Sequence, residues 1–230
     1  MSDSFAAEFA RARAVAWKDL TTERRSKAGF NAVVSLALTI LLLFGFALGP
    51  DSGAVRAAAP GALWLAALFA SVLAFGRSFQ VELDGGALEM LLLYPGSRRA
   101  IYVGKLLANL AFVGLLIAIV VVASMVLFQV TIPRAWPAVL GIIGLGAVGV
   151  TALGTFYAAI ASRSRAREVL LPLLLFPMLV PVLLAAVQGT KALMAGDLMN
   201  EAGAWISLLA GFDLLFLLAG FLAFDAVIDA

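Results

Sequence analysis

Residues 101–130 read IYVGKLLANLAFVGLLIAIVVVASMVLFQV. Lys105 is the only charged residue in this stretch, and most of the other side chains are apolar. A helix of this length would extend about 45 Å at 1.5 Å per residue, which exceeds the roughly 30 Å hydrocarbon core of a bilayer. The stretch is therefore predicted to form a transmembrane helix.

The rest of the chain has the same character. It is 63% hydrophobic and 13% charged, whereas a soluble domain is about 25% charged. The six segments that are long enough to cross a bilayer are approximately 28–49, 57–76, 101–130, 135–161, 168–189 and 203–224. The predicted fold is an all-α integral membrane protein with six transmembrane helices, in which 28–224 form the transmembrane domain and 225–230 a short cytoplasmic tail.

The placement of Lys and Arg predicts the orientation of the spans. Of the 16 basic residues, all but three lie in the amino-terminal segment or beside loops 2–3 and 4–5. The three exceptions are Arg56, Arg134 and Lys191. Because basic residues accumulate on the cytoplasmic side of a membrane, both termini and these two loops are predicted to be cytoplasmic.

Residues 1–27 precede the first span and are polar and basic. Apolar side chains recur there at three- to four-residue spacing, namely Phe5, Phe9, Ala12, Ala16 and Leu20. This spacing predicts an amphipathic helix that lies in the membrane interface and contacts lipid. A short solvated helix is the alternative, which we favour less because the segment runs directly into a span.

Two predicted spans carry a face of small side chains, which lets helices approach closely in lipid. In the second span this face comprises Ala58, Ala62, Ala66, Ala70 and Ala74. In the fourth span it comprises Gly144, Ala147, Thr151, Gly154 and Ala158. General packing of a helix bundle explains both faces more simply than a specific dimerisation motif.

The fifth and sixth spans contain residues that are uncommon in helices. Pro172, Pro177 and Pro181 each remove a backbone donor, so the fifth span is expected to be bent or broken beside a cavity or hinge, or else statically kinked. Asp213 lies near the middle of the sixth span, where a carboxylate costs at least ~2.5 kcal/mol. It is either a residue of the substrate path, a hydrogen-bonded structural acid, or a shallow residue of a shifted span.

Several kinds of chemistry are excluded by composition. The chain has no Cys and no His, so it offers no thiolate and no imidazole to a metal or to catalysis. It also lacks a GxxxxGK[ST] phosphate loop. No catalytic or metal site is predicted, and a net charge of +2 does not indicate nucleic-acid binding.

The longest predicted cytoplasmic loop reads GRSFQVELDGGALEMLLLYPGSRR (76–99). Within 82–94 we expect a short coupling helix whose acidic residues are Glu82, Asp84 and Glu89 and whose apolar face is Ala87, Leu88, Leu91 and Leu92. An exposed apolar face on a short helix is typical of a segment that docks into a partner's groove. A helix lying flat on the lipid surface is the alternative.

The run APGALWLAALFASVLAFGRSFQVELDGGALEMLLL (59–93) resembles the heme exporter protein B family, the B-type permeases of cytochrome c maturation. FPMLVP (176–181) is similar to the paired prolines of that family, and the six spans fit it in position and length. More broadly, an interfacial helix, six spans and an acidic segment before the third span are similar to the permeases of type-2 ABC exporters.

The resemblance implies a permease subunit of an ABC-type complex in a bacterial inner membrane. The implied partners are a cytoplasmic ABC ATPase subunit, a second heme-handling membrane subunit and, indirectly, a periplasmic heme chaperone. Heme is the implied substrate of the complex, the ATPase partner would bind ATP, and no cofactor is expected on this chain alone. Because the chain lacks His and Cys, any axial heme ligand is expected to come from a partner.

Three other functions stay open at this point. The chain could be a permease for another substrate, such as a drug or a polysaccharide. It could be a scaffold that joins an ATPase to a heme-handling complex without transporting anything. A stand-alone membrane enzyme is least favoured, because the sequence offers no set of catalytic groups.

Overall fold

The computed structural model describes residues 2–84, 97–130, 135–162, 164, 166–197 and 200–229. The described residues form seven helices and no strands: α1 Ser2–Arg25, α2 Lys27–Leu48, α3 Ser52–Asp84, α4 Arg98–Phe128, α5 Trp136–Ser162, α6 Arg167–Met194 and α7 Ala202–Asp229. Six of them, α2 to α7, are long and apolar enough to cross a membrane. The predicted all-α fold with six spans is confirmed.

The helices extend beyond some of the predicted spans. α3 continues to Asp84, although the predicted second span ended at 76, and α6 continues to Met194. Hydropathy predicts only the apolar part of a helix that can lie in lipid. The helix itself is longer, because its backbone hydrogen bonds continue into polar turns. The ends are set instead by local backbone geometry, as at Gly49 and Gly196, whose φ angles of 67° and 87° suit glycine after a helix.

α5 lies at the centre of the bundle and packs against α3, α4, α6 and α7. Its glycines permit this, because an added Cβ would overlap the Trp64 ring at Gly146 and the Phe75 ring at Gly154. α3 and α5 are the most buried spans, and α2 and α7 are the least buried. The two small-residue helices therefore form the core of the bundle.

The small-residue face predicted for α3 packs inside the protein, with Ala62, Ala66 and Ala70 fully buried. On α5 the predicted face is buried except at Gly144, which is exposed and has no atom within 4 Å of an added Cβ. The prediction for Gly144 is wrong because Gly144 lies in the first half of α5, where its helical neighbours Leu140 and Gly141 are exposed as well.

α1 packs against α4 through its small side chains. Ala12, Val15 and Ala16 are buried, and the Ala12 carbonyl and the Val15 side chain occupy the place where a Cβ would lie at Gly104. Phe9 and Trp17 are 63% and 69% exposed. Of the predicted apolar stripe, Ala12 and Ala16 therefore contact protein while Phe9 points outward, and the interfacial position of α1 stays a prediction.

Candidate functional site

Of the six residues predicted to dock a partner, two lie on a described helix. Glu82 and Asp84 are in the last turn of α3. Leu88, Glu89, Leu91 and Leu92 lie outside the described residues. One continuous helix therefore leads from the membrane bundle to the start of the predicted docking segment.

A buried cation lies beside this end of α3. Lys105 on α4 is fully buried, and its Nζ donates to Asp19 Oδ2 on α1 and to the carbonyl oxygen of Ser78 on α3, each at 3.3 Å. Asp19 also pairs with Lys18 at 2.8 Å. Because an ammonium group inside a protein must be paired to be tolerated, Lys105 holds three helices together at one point.

Hydrogen bonds extend this contact to the central helix. Ser78 Oγ donates to Asn109 Oδ1, and Asn109 Nδ2 donates to Thr155 Oγ1 on α5, both at 3.0 Å. Lys105 and Asn109 are four residues apart and so lie on one face of α4. We refer to Asp19, Ser78, Lys105, Asn109 and Thr155 as the cytoplasmic polar cluster, after the predicted orientation of this end of the bundle.

A second charged contact borders the cluster. Burial raises the pKa of Glu23 on α1 above its ordinary 4.5, although Arg77 acts to lower it, and Asp19 raises it further. The guanidinium of Arg77 lies over Gly29, where an added Cβ would be 2.8 Å from Nη1. A cavity of about 70 Å³ separates these groups from Asn109. This cavity is large enough to hold water beside Glu23.

The cluster contains no His that could activate its hydroxyl groups, and the described residues contain no group of three or more carboxylates that could hold a metal ion. The cluster has a structural role, because its ion pair and hydrogen bonds join α1, α3, α4 and α5. Sequence reasoning counted Lys105 only as a topology signal and overlooked Asn109. The available signal was a polar pair at i and i+4 inside an otherwise apolar span, where ionisable residues are usually functional.

Asp213 lies at the centre of its span, eleven residues after Ala202 and eleven before Phe224. It is 4% exposed. Its Oδ1 lies 2.5 Å from the position of an added Cβ at Gly149, so the absence of a side chain there makes room for the carboxyl group. Neither carboxyl oxygen has a hydrogen-bond partner among the described residues. Asp213 is thus buried without a hydrogen-bond partner among the described residues, and its depth in the membrane and its role stay predictions.

The three prolines all lie within α6, which the structure shows as one continuous helix. Pro177 is exposed, whereas Pro172 and Pro181 are partly buried. The inner face of this part of α6 consists of fully buried aliphatic residues such as Leu175, Leu179 and Val182. The prolines accordingly do not break the helix, and their role in a hinge or path stays a prediction.

Six long apolar helices around a small-residue core, joined by buried polar groups, define this chain as a multi-pass membrane protein. A family model described as CcmB protein matches residues 10–230. The chain belongs to this family. The resemblance seen in the sequence is confirmed.

Curated relatives support the same family. The heme exporter protein B of Paracoccus denitrificans is 29% identical over 184 residues, which cover 80% of this chain and 84% of the relative. That of Rhodobacter capsulatus is 32% identical over 173 residues, covering 75% and 78% of the two chains. The heme exporter protein B of Escherichia coli K12 is 37% identical over a shorter stretch of 78 residues, 34% of this chain and 36% of the relative.

Proposed function

We propose that this chain is the transmembrane permease subunit of an ABC-type complex that handles heme during cytochrome c maturation. The observation that carries the proposal is the family match over residues 10–230, and relatives named heme exporter protein B support heme as the substrate. The complex would lie in a bacterial inner membrane, and both termini of this chain would be cytoplasmic. Its further partners would be a second heme-handling membrane subunit and a periplasmic heme chaperone.

ATP hydrolysis would take place in a cytoplasmic ATPase subunit, because this chain has no phosphate loop. We assign the docking of that subunit to residues 82–94. The predicted helix in this segment offers the ATPase an apolar face at Leu88, Leu91 and Leu92 and acidic groups at Glu82 and Glu89. Leucines of this kind fill a groove, and the acids contact polar or basic groups at its rim.

The cytoplasmic polar cluster supports a route for coupling. Ser78 lies one helical turn before Glu82 on α3, and it contacts both Lys105 and Asn109 on α4. Movement of the docking segment would therefore reach α1, α4 and α5 along a rigid helix and through short polar contacts. A flexible loop in place of this part of α3 would not transmit the movement to the other helices.

Inside the bundle we assign the moving parts to α6 and α7. Asp213 contacts α5 at Gly149 and lies near Val182 of α6, so these helices meet around one buried carboxyl group. Pro172, Pro177 and Pro181 each omit a backbone hydrogen bond in α6. Such omissions make a helix easier to bend, which suits a substrate path along this contact.

The proposal is tested by replacing the resident family member in a bacterium that needs it to make c-type cytochromes. Expression of this chain with its own species' ATPase subunit should restore heme-stained c-type cytochromes, and the two subunits should purify together. Burial of a leucine is worth about 1.5–3 kcal/mol, so Leu88→Asp should weaken docking about tenfold or more. Glu89→Lys should also release the ATPase.

Glu201→Lys is the matched control for Glu89→Lys, because it makes the same charge change at an exposed residue before α7, on the opposite side of the predicted bundle. It should leave ATPase binding unchanged. Retention of an active ATPase in both loop variants would refute docking at 82–94 and direct the search to residues 163–167. Absence of heme movement into sealed vesicles by an intact, active complex would identify a scaffold instead of a permease.

A further inference from the structure

A cavity of about 410 Å³ opens among α3, α4, α5 and α6. At 1.5 Å per residue, about 27 Å of helix separates Pro60 in its wall from Ser78 in the cytoplasmic polar cluster. The cavity is therefore at the opposite end of the bundle, on the side that the charge pattern predicts to face away from the cytoplasm. Its volume falls within the roughly 300–1,000 Å³ of small-ligand sites.

The wall suits a flat apolar molecule. Trp136 contributes an indole ring, Met125 and Met194 contribute thioethers, and aliphatic side chains such as Leu140 complete most of the remainder. Thioethers pack favourably against aromatic rings. The Thr190 hydroxyl also borders the cavity, but it is already engaged, since it donates to the Ala186 carbonyl and accepts from Trp64. The wall therefore favours a ligand with a large apolar ring and offers no free polar group at Thr190.

The rim of the cavity is basic. Arg56 is exposed and lies one turn before Pro60 on α3, and Lys191 is exposed and lies one turn before Met194 on α6. Residues three or four apart share a face of a helix, so each cation is placed beside a residue of the wall. These are two of the three basic residues predicted on this side of the membrane, and each lies within one helical turn of a wall residue.

We propose that this cavity binds a tetrapyrrole that carries carboxylates, with the ring against Trp136 and the carboxylates at Arg56 and Lys191. The inference rests on the proposed function for heme as the substrate and adds its position in this subunit. A lipid would match the apolar wall with its acyl chain and the basic rim with its anionic group, but it has no ring to lie against Trp136, and competition by oleate therefore distinguishes the two ligands. The chain contains no His or Cys, and Met125 and Met194 offer only weak thioether ligands, so the ring and the carboxylates supply most of the binding.

The first experiment measures binding of metal-free protoporphyrin IX to the purified full chain in detergent by equilibrium dialysis. Leu140→Trp puts a larger side chain beside the cavity and should weaken binding about tenfold or more, because the indole takes up volume that the ligand needs. Leu215→Trp on α7 is the matched control, since Leu140 and Leu215 are 57% and 56% exposed and only Leu140 lines this cavity. The control should bind as the unmodified chain does.

The second experiment tests the rim. Exposed ion pairs contribute modestly, so Arg56→Gln combined with Lys191→Gln should weaken protoporphyrin binding about 2- to 20-fold. The same double variant should not change binding of protoporphyrin dimethyl ester, which has no carboxylate. Heme should bind within about threefold of the metal-free porphyrin, because no strong axial ligand is present.

Three results would overturn the inference. Leu140→Trp could bind protoporphyrin as well as the unmodified chain does, or the rim variant could weaken binding of protoporphyrin and of its dimethyl ester equally. Displacement of the porphyrin by equimolar oleate would be the third. The outcome is separable from that of the proposed function. A chain that restores c-type cytochromes but binds no porphyrin would remove this site and leave the function. A chain that binds porphyrin through this cavity but restores no c-type cytochromes would support this site and contradict the proposed function.

Discussion

Gly154 and Gly144 on α5 provide a matched pair of substitutions that tests the packing of the core. A methyl group at Gly154 would overlap the ring of Phe75 on α3, which is 1% exposed. A methyl group at Gly144 would meet no atom within 4 Å. We predict that Gly154→Ala destabilises the protein relative to Gly144→Ala, although both put the same residue into the same helix.

The size of the difference follows from the two contacts. Both variants gain roughly 1 kcal/mol of helix propensity over glycine, and this gain cancels in the comparison. Overfilling of a packed core costs about 1–3 kcal/mol. For a chain of this size each kcal/mol shifts the melting temperature by about 2–4 °C, so Gly154→Ala should melt about 2–12 °C below Gly144→Ala.

The assay is the fraction of detergent-solubilised protein that stays monodisperse in gel filtration after heating. Phe75→Leu supplies the second arm, because the smaller side chain leaves space for the new methyl group. Residues in contact show coupling energies of about 0.5–3 kcal/mol, so the double variant should lose less stability than the two single variants together. Equal melting of the two alanine variants, or full additivity of Phe75→Leu and Gly154→Ala, would refute the reasoning.

Three further predictions concern topology, pH and α6. A single cysteine at Ser164 should resist an impermeant thiol reagent in intact cells, whereas one at Ser52 should react; labelling of Ser164 from outside would reverse the orientation. Because burial raises the pKa of Glu23 above 4.5, the folded state binds its proton more tightly, so this stabilisation should be lost as the pH rises through the raised pKa; Glu23→Gln should flatten the fall of the melting temperature as the pH rises above 4.5, and an unchanged slope would contradict this assignment. Replacement of Pro177 and Pro181 by alanine should leave the chain in the membrane but impair c-type cytochrome assembly, and normal assembly at normal abundance would exclude a hinge.

The buried polar residues show which features can be predicted from the sequence and which cannot. Asp213 was identified because a lone carboxylate in an apolar span is locally conspicuous. Its contact with Gly149 could not be identified, because a glycine that makes room for a side chain on another helix looks the same as one that faces open space. Gly144 shows the opposite error, since its spacing predicted a packed position but the structure shows it exposed.

The membrane class, the six spans and the family were determined by the sequence alone. Hydropathy is a local property, and only helices that satisfy their own backbone hydrogen bonds, or closed barrels, can cross lipid. The tertiary structure decided which residues meet. It placed Lys105 inside the protein against Asp19, 86 positions away in the chain, and it grouped the ends of four helices around an apolar cavity. Those pairings depend on how helices turn and tilt against one another, and that geometry is set by packing between distant residues.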